Sequence, residues 1–323
     1  MQKILIIQTA FLGDVVLATP LIENLKNQFP QSEISFLVRK GNESLLRNHP
    51  KIHQLFTFDK RRKWSEIWRL TSAFRKEKFD LVINLQRFAS SGLIAVLSGG
   101  KEIRGFKENP FSFAYHLKKK HLIQKGTHEV DRNLSLIPEV FAPVRHPKLY
   151  PSDSDFEFIS NYQSETYFCL APSSVWFTKA APVSVWVKLC KELSKKGRVY
   201  LLGGPNDATL ANEIIAHSGV ESLENLCGKL SLLQSAALMS RAKRNFVNDS
   251  GPLHLASSMN AAVTAFFCST IPEFGFGPLS DDSKIIQVEN LDCRPCGLHG
   301  HQSCPKVHFR CGEELGKTDG FFK

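Results

Sequence analysis

No apolar run in this chain of 323 residues is long enough to span a bilayer, which excludes a helical integral membrane protein. The Lys3-to-Ile22 stretch superficially has the layout of a secretion signal, one positive charge and then apolar residues. Gly13-Asp14 interrupts it and no convincing small-residue cleavage site follows, so a soluble cytoplasmic protein is expected. There is no internal repeat and no low-complexity tract. Nor is there an Asp-x-Asp metal element in a convincing loop. Asp153-Ser154-Asp155 has that spacing, but it lies in a region that reads as a linker. Acidic side chains are scarce: 31 against 41 Lys and Arg, a net charge of +10. That excess favours an anionic partner, whether nucleic acid, an anionic membrane surface or a phosphorylated substrate, without choosing among them.

What is present is a repeated alternation of strand and helix signals. The length predicts two domains. In the first half, strands are expected at Lys3–Gln8, Glu33–Val38, Gln54–Phe58, Asp80–Leu85 and Glu102–Phe106. Helices are expected at Trp64–Glu77, Ser90–Leu97 and Asp131–Phe141. The segment Ala142–Ser152 has three prolines and no periodicity and reads as an interdomain linker. Strands then recur at Tyr167–Ala171, Val199–Gly203, Arg244–Asn248, Ala262–Phe267 and Lys284–Val288. Helices recur at Ser184–Lys195, Asp207–His217, Leu232–Ser240 and Gly251–Ser258. Alternation of this kind predicts parallel sheets covered on both faces, in two α/β domains of residues 1–150 and 151–323.

Three segments carry chemistry. The first, Asn248-Asp249-Ser250-Gly251-Pro252-Leu253-His254, is a strand end, a turn and a helix start. Ser250 or Asp249 can cap that helix and Pro252 suits its first turn. Its N-terminus, with free N–H groups and a positive dipole end, suits a phosphate or diphosphate. A well-capped connection with no ligand is the simpler alternative. The second runs from the strand Lys3–Gln8 through Gly13-Asp14 to Pro20, placing Asp14 at the carboxyl end of the first strand, where open α/β sheets bind ligands. The third is Pro172-Ser173-Ser174-Val175-Trp176-Phe177-Thr178-Lys179-Ala180-Ala181-Pro182, a loop with hydroxyls and a cation at another strand's end.

Together, in this order and spacing, the three resemble glycosyltransferase family 9, the ADP-heptose:lipopolysaccharide heptosyltransferases. The family's Gly-Asp-x-x-x-x-x-Pro element matches Gly13-Asp14 to Pro20. Its Asp-Ser/Thr-Gly-x-x-His element matches Asp249 to His254. Its Pro-Gly/Ser-x-x-x-x-x-Lys-x-x-Pro segment matches Pro172 to Pro182. The family usually has Trp before that last Pro. Here Ala181 stands there, and Trp176 is the nearby candidate to compensate. The resemblance implies the GT-B architecture, two Rossmann-like domains facing each other across a cleft. The N-terminal domain would take the acceptor and the C-terminal one the nucleotide sugar.

It also implies roles. Asp14 would be the general base of an inverting transfer; the alternative is an N-cap for a helix starting at Val15. Pro20 is expected to bend that helix or mark its early turn. Lys179 would stabilise the leaving diphosphate, with Ser173, Ser174, Asp249, Ser250, Gly251 and His254 completing the donor pocket. Asp207, after Gly203-Gly204, is a candidate for the ribose, or a turn residue and N-cap. For an anionic acceptor, a Kdo-bearing lipid A or core oligosaccharide, the candidates are Arg61, Arg62, Lys63, Arg87, Arg104 and Lys119. The basic runs Lys60–Lys63 and Lys118–His121 would also draw the enzyme to the inner-membrane surface. Trp64 and Trp68 would either dip into that interface or belong to the core. Transfer needs no metal cofactor on this reading, because Lys179 and the helix at Ser250 offset the diphosphate charge.

Cysteines divide into two groups. Cys169, Cys190, Cys227 and Cys268 lie in apolar surroundings and are expected to be reduced core residues. Cys293, Cys296, Cys304 and Cys311, with His308 among them, have the spacing of a structural zinc site, with a metal-free loop as the rival. The competing functions are a family 9 transferase with another nucleotide-sugar donor, a GT-B-like sugar epimerase, a periplasmic binding protein and a nucleic-acid-binding protein. The last would account for the charge and the cysteines but not for Asp14 or the donor motifs, so no nucleic-acid partner is expected.

Overall fold

The computed structural model describes residues 2–123, 126–138, 142–163 and 165–318. The chain divides into two compact units, Met1–Tyr150 and Pro151–Lys323.

In unit 1 the elements are β1 (Lys3–Gln8), α1 (Leu12–Gln28), β2 (Glu33–Arg39), β3 (Gln54–Phe58), α2 (Lys63–Glu77), β4 (Leu81–Asn84), α3 (Ala89–Leu97), β5 (Glu102–Phe106), β6 (Leu117–Lys119) and α4 (Glu129–Leu134). The sheet is parallel throughout, in the order β3-β2-β1-β4-β5-β6. Ile4, Leu5, Ile6 and Ile7 of β1 are wholly buried, as a central parallel strand covered on both faces requires. Unit 2 contains α5 (Asp153–Phe158), β7 (Tyr167–Ala171), α6 (Val183–Leu193), β8 (Arg198–Leu201), α7 (Ala208–Ser218), β9 (Leu223–Asn225), α8 (Leu232–Arg241), β10 (Arg244–Asn248), α9 (Gly251–Ser258), β11 (Val263–Phe267), β12 (Ser283–Gln287) and α10 (Arg310–Glu313). Its sheet order, β12-β11-β10-β7-β8-β9, is the same topology. Each unit is therefore a doubly wound α/β layer with one switch point, between β1 and β4 in the first and between β7 and β10 in the second.

Local expectations fail in instructive places. β6 and β9, three residues each, are too short to leave a periodic signal. The helix expected over Asp131–Phe141 is the shorter Glu129–Leu134, opened by a His128–Asp131 capping box; positions 139–141 lie outside the described residues. Asp153-Ser154-Asp155 is not in a linker. It is the first turn of α5, capped by Ser152, whose side chain accepts from the Asp155 amide.

The proline-rich Ala142–Ser152 stretch contains no helix or strand, and much of it is tied to α1. Asn24 exchanges hydrogen bonds with Val144 at 2.8 and 3.0 Å, and the Lys148 amide donates to Thr19 Oγ1 at 2.9 Å. Pro20 lies inside α1, which runs on from Leu12 to Gln28. The Thr19 hydroxyl donates at 2.7 Å to the Val16 carbonyl, the acceptor that Pro20 has no N–H to serve.

Cys169, Cys190, Cys227 and Cys268 are buried, and burial raises each thiol's pKa, that of Cys227 to about 11. Among the described residues no helix is long and apolar enough to cross a membrane.

Candidate active site

Both switch points carry the residues singled out from the sequence. In unit 1, the chain leaves β1 through Thr9–Phe11 and enters α1, whose N-cap is Phe11. Asp14 is therefore in the first turn and not an N-cap of a helix beginning at Val15. It remains partly accessible. Its pKa is pushed up to about 6, by burial first and then by the negative charge of Glu129. The amides of Phe11 and Asp14 and the Arg87 guanidinium act in the opposite sense. A carboxylate poised near neutrality is what general-base work asks for.

Glu129 was not legible as a site residue. Burial would raise its pKa, but the His121 hydrogen bond and charge, with Arg132, hold it below the ordinary value. His121 Nε2 lies 3.1 Å from both carboxylate oxygens and Arg132 Nε donates at 2.6 Å. His121 is thus a buried partner of Glu129 and not part of an exposed basic run.

The acceptor candidates separate. Arg87, in the loop after β4, is an electrostatic neighbour of Asp14, and so is Lys60, after β3. Arg61 is exposed but engaged with Asp59 at 3.3 Å. Arg62, Lys63 and Lys119 are exposed, and the Lys63 ammonium sits 5.4 Å from the Trp64 ring centroid. Arg104 does not fit the role. Its side chain, 16 % exposed, bonds Glu102 at 2.7 Å and the Leu136 carbonyl at 3.2 Å, so it braces β5. Trp64 and Trp68 are not core: they are 65 % and 67 % exposed, and Phe11 and Phe88, in the loops after β1 and β4, reach 60 % and 66 %.

In unit 2, Lys179 ends a single 3-10 turn, Phe177–Lys179, in the loop after β7. Its Nζ lies 2.7 Å from Oδ2 of Asp249, at the end of β10. Asp249 Oδ2 also accepts from Thr270 Oγ1 at 2.6 Å. Asn248 ties the two loops together. Its Oδ1 accepts from the Ala181 amide at 3.0 Å, and its Nδ2 donates to the Pro172 carbonyl at 2.7 Å.

Ser250 is the N-cap residue of α9 and Pro252 lies in the first turn, but among the described residues no side chain caps this helix. The Ser250 hydroxyl turns instead toward the carbonyls of Ser173 and Asn248, at 3.5 and 3.4 Å. The expected self-capping by Ser250 or Asp249 is thus absent, leaving the Ser250 and Gly251 amides for a ligand, while the Leu253 amide donates to the Ser250 carbonyl at 3.1 Å. His254 is buried one turn further on.

Asp207 fixes a turn, with its Oδ2 accepting from the Gly204 amide at 2.7 Å and its Oδ1 from the Ser173 hydroxyl. It supplies no side-chain cap to α7. Ser174 Oγ accepts from the Trp176 amide at 3.3 Å. Trp176 does not replace the missing Trp at position 181. The buried Trp186 of α6 packs there, its indole N–H donating to the Ala181 carbonyl at 3.1 Å.

The C-terminal cysteines carry free thiols. Cys293 Sγ is 3.8 Å from His308 Nε2. Among the described residues, no three of His, Cys, Asp and Glu are gathered to hold a metal ion, although burial and then the charges of Cys296 and Cys304 raise the pKa of the Cys311 thiol within the expected set of Cys293, Cys296, Cys304 and Cys311.

Residues 67–307 match the family model described as glycosyltransferase family 9 (heptosyltransferase). Lipopolysaccharide heptosyltransferase 3 of Escherichia coli is 26 % identical over 277 residues, covering 80 % of this chain and 82 % of its own. Lipopolysaccharide heptosyltransferase 2 of E. coli K12 is 23 % identical, covering 89 % and 88 %. The solved structure of the E. coli ADP-heptose lipopolysaccharide heptosyltransferase II superposes with a TM-score of 0.80 at 22 % identity, over 98 % of this chain and 99 % of that one. Two doubly wound units, the motifs at their switch points and a family match over about three quarters of the length agree: the chain belongs to glycosyltransferase family 9, the heptosyltransferases, and is a glycosyltransferase.

Proposed function

We propose that this enzyme transfers heptose from ADP-heptose to the lipopolysaccharide inner core with inversion. The Asp14 carboxylate takes the proton of an acceptor hydroxyl as that oxygen attacks the anomeric carbon. The bond to the diphosphate breaks in the same displacement and ADP departs. Lys179 and the Ser250 and Gly251 amides meet the charge that develops on the leaving phosphate. Asp249 orients Lys179 and accepts hydrogen bonds from the sugar hydroxyls. Because protein groups supply this positive charge, no metal cofactor is needed, and turnover is expected to survive chelation.

The observation that carries the reading is the uncapped N-terminus of α9 beside the Lys179–Asp249 pair, at a switch point. A diphosphate is the ligand such donors suit. Asp14, with a pKa of about 6, supports the base assignment.

Arg87, Arg62, Lys63 and Lys119 would hold the phosphorylated, Kdo-bearing acceptor. Trp64 and Trp68, with the cations around them, would rest on the anionic cytoplasmic leaflet of the inner membrane. Each cation near such a surface contributes about 1 kcal/mol. The protein would then be cytoplasmic and peripherally bound.

The test is ADP release from ADP-heptose, with and without Kdo-lipid A or a heptosylated core, for the wild type and Asp14→Asn. Acceptor-dependent release that collapses in the variant is expected. A folded wild type that binds no ADP-heptose would remove the donor assignment. Equal release by the variant would remove Asp14 as base.

A further inference from the structure

Gly300 is buried in a loop more than a hundred residues from Lys179 in sequence, yet it lies against it. A Cβ added at Gly300 would sit 2.5 Å from Trp176 Cβ and 2.8 Å from Lys179 Cγ. Only a residue without a side chain allows the loop backbone to rest on the Lys179 stem at this distance.

A ladder of hydrogen bonds holds the loop there. The Thr178 amide donates to the His301 carbonyl at 3.1 Å, and the His301 amide donates to Thr178 Oγ1 at 2.8 Å. The Ser269 amide donates to the Thr178 carbonyl at 3.1 Å, and its hydroxyl to Thr178 Oγ1 at 3.0 Å. The Cys296 amide closes the ladder on the Ser269 carbonyl at 3.0 Å, through its backbone and not its thiol. On the other side, Arg294 donates to the Thr270 carbonyl from Nε at 3.2 Å and from Nη2 at 2.7 Å. Thr270 in turn donates its hydroxyl to Asp249. One loop therefore reaches both members of the Lys179–Asp249 pair.

We propose that the cysteine-bearing loop 291–301 is a wall of the diphosphate pocket, and that Gly300 and Thr270 are positioning residues that fix Lys179 and Asp249 for a nucleoside diphosphate. The proposal rests on reading that pair as the donor site. Lysine is a flexible stem with a point charge at its end. A stem pinned by Gly300 and by Asp249 has spent its rotamer freedom before the ligand arrives, which raises affinity. Within this loop, the backbone conformation is then what function demands of Leu291–His301, whatever the thiols do.

The test is ADP binding by calorimetry, with melting temperatures, for wild type, Gly300→Ala, Thr270→Val, Thr270→Ser, Lys179→Gln and the double variant Gly300→Ala/Lys179→Gln. Gly300→Ala and Thr270→Val should each weaken ADP about tenfold in protein that is folded, as loss of one well-placed charged contact does. Thr270→Ser should bind as the wild type does, because it keeps the hydroxyl. Gly300→Ala should cost nothing further once Lys179 is Gln, a non-additivity that a merely structural role would not produce. If Gly300→Ala does not fold, the Thr270 pair carries the test. Wild-type affinity in Gly300→Ala or Thr270→Val, with Lys179→Gln impaired, overturns the positioning role, and so do additive losses. Wild-type affinity in Lys179→Gln overturns the diphosphate reading itself, and the proposal with it.

Discussion

Lys179 Nζ and Asp249 Oδ2 stand 2.7 Å apart, the first side chain 17 % and the second 6 % exposed, so an anion already holds the cation of the donor loop in place before a diphosphate arrives. Removing one partner leaves the other charge poorly solvated. Lys179→Ala is expected to lose about 2–4 kcal/mol of stability, read by denaturant melts. Lys179→Ala/Asp249→Asn should recover much of that loss while remaining unable to bind ADP. A double variant no more stable than the single one would show that the pair is not the source of the cost.

Asp14 should oppose stability at neutral pH. Its folded pKa, about 6, lies above the usual carboxylate value of 3.8, so the native state binds that proton more tightly than the unfolded chain. The resulting stabilisation is fully present below pH 4 and is lost as pH rises through about 6. Asp14→Asn is accordingly expected to be more stable than wild type at pH 7.5 by about 1–3 kcal/mol, with the difference vanishing near pH 4. The same variant should lose about 10²–10⁴-fold in transfer rate.

Glu129 and Arg87 act on Asp14 with opposite signs. The acid limb of kcat/KM should therefore move to lower pH in Glu129→Gln and to higher pH in Arg87→Ala. Measuring the two profiles side by side is decisive, because a general loss of folded enzyme lowers both curves without moving either limb.

Arg104→Ala should destabilise unit 1 by about 1–2 kcal/mol through the lost bonds to Glu102 and Leu136. The KM for the acceptor should stay unchanged. A raised KM at wild-type stability would restore Arg104 to the acceptor site.

The long elements could be read from local pattern, because strands such as Lys3–Gln8 and Tyr167–Ala171 are buried on both faces and so are continuously apolar. The same is true of the three motifs, whose turn residues announce a strand end followed by a loop or helix. Hydroxyl and cation identities likewise pointed to phosphate chemistry before any fold was known.

Other assignments depended on partners remote in sequence. Glu129 tunes Asp14 although 115 positions separate them, and Thr270 reaches Asp249 from the loop after β11. Gly300 matters only because Trp176 and the Lys179 stem lie where its side chain would be. Arg104 and Lys119 carry the same formal charge, yet one is spent on Glu102 and the other faces solvent. Periodicity and turn chemistry are local and therefore determined the long strands and helices. Burial, charge pairing and close approach are properties of neighbours in space, so only the tertiary structure decided which charges stay available and what holds Lys179 in place.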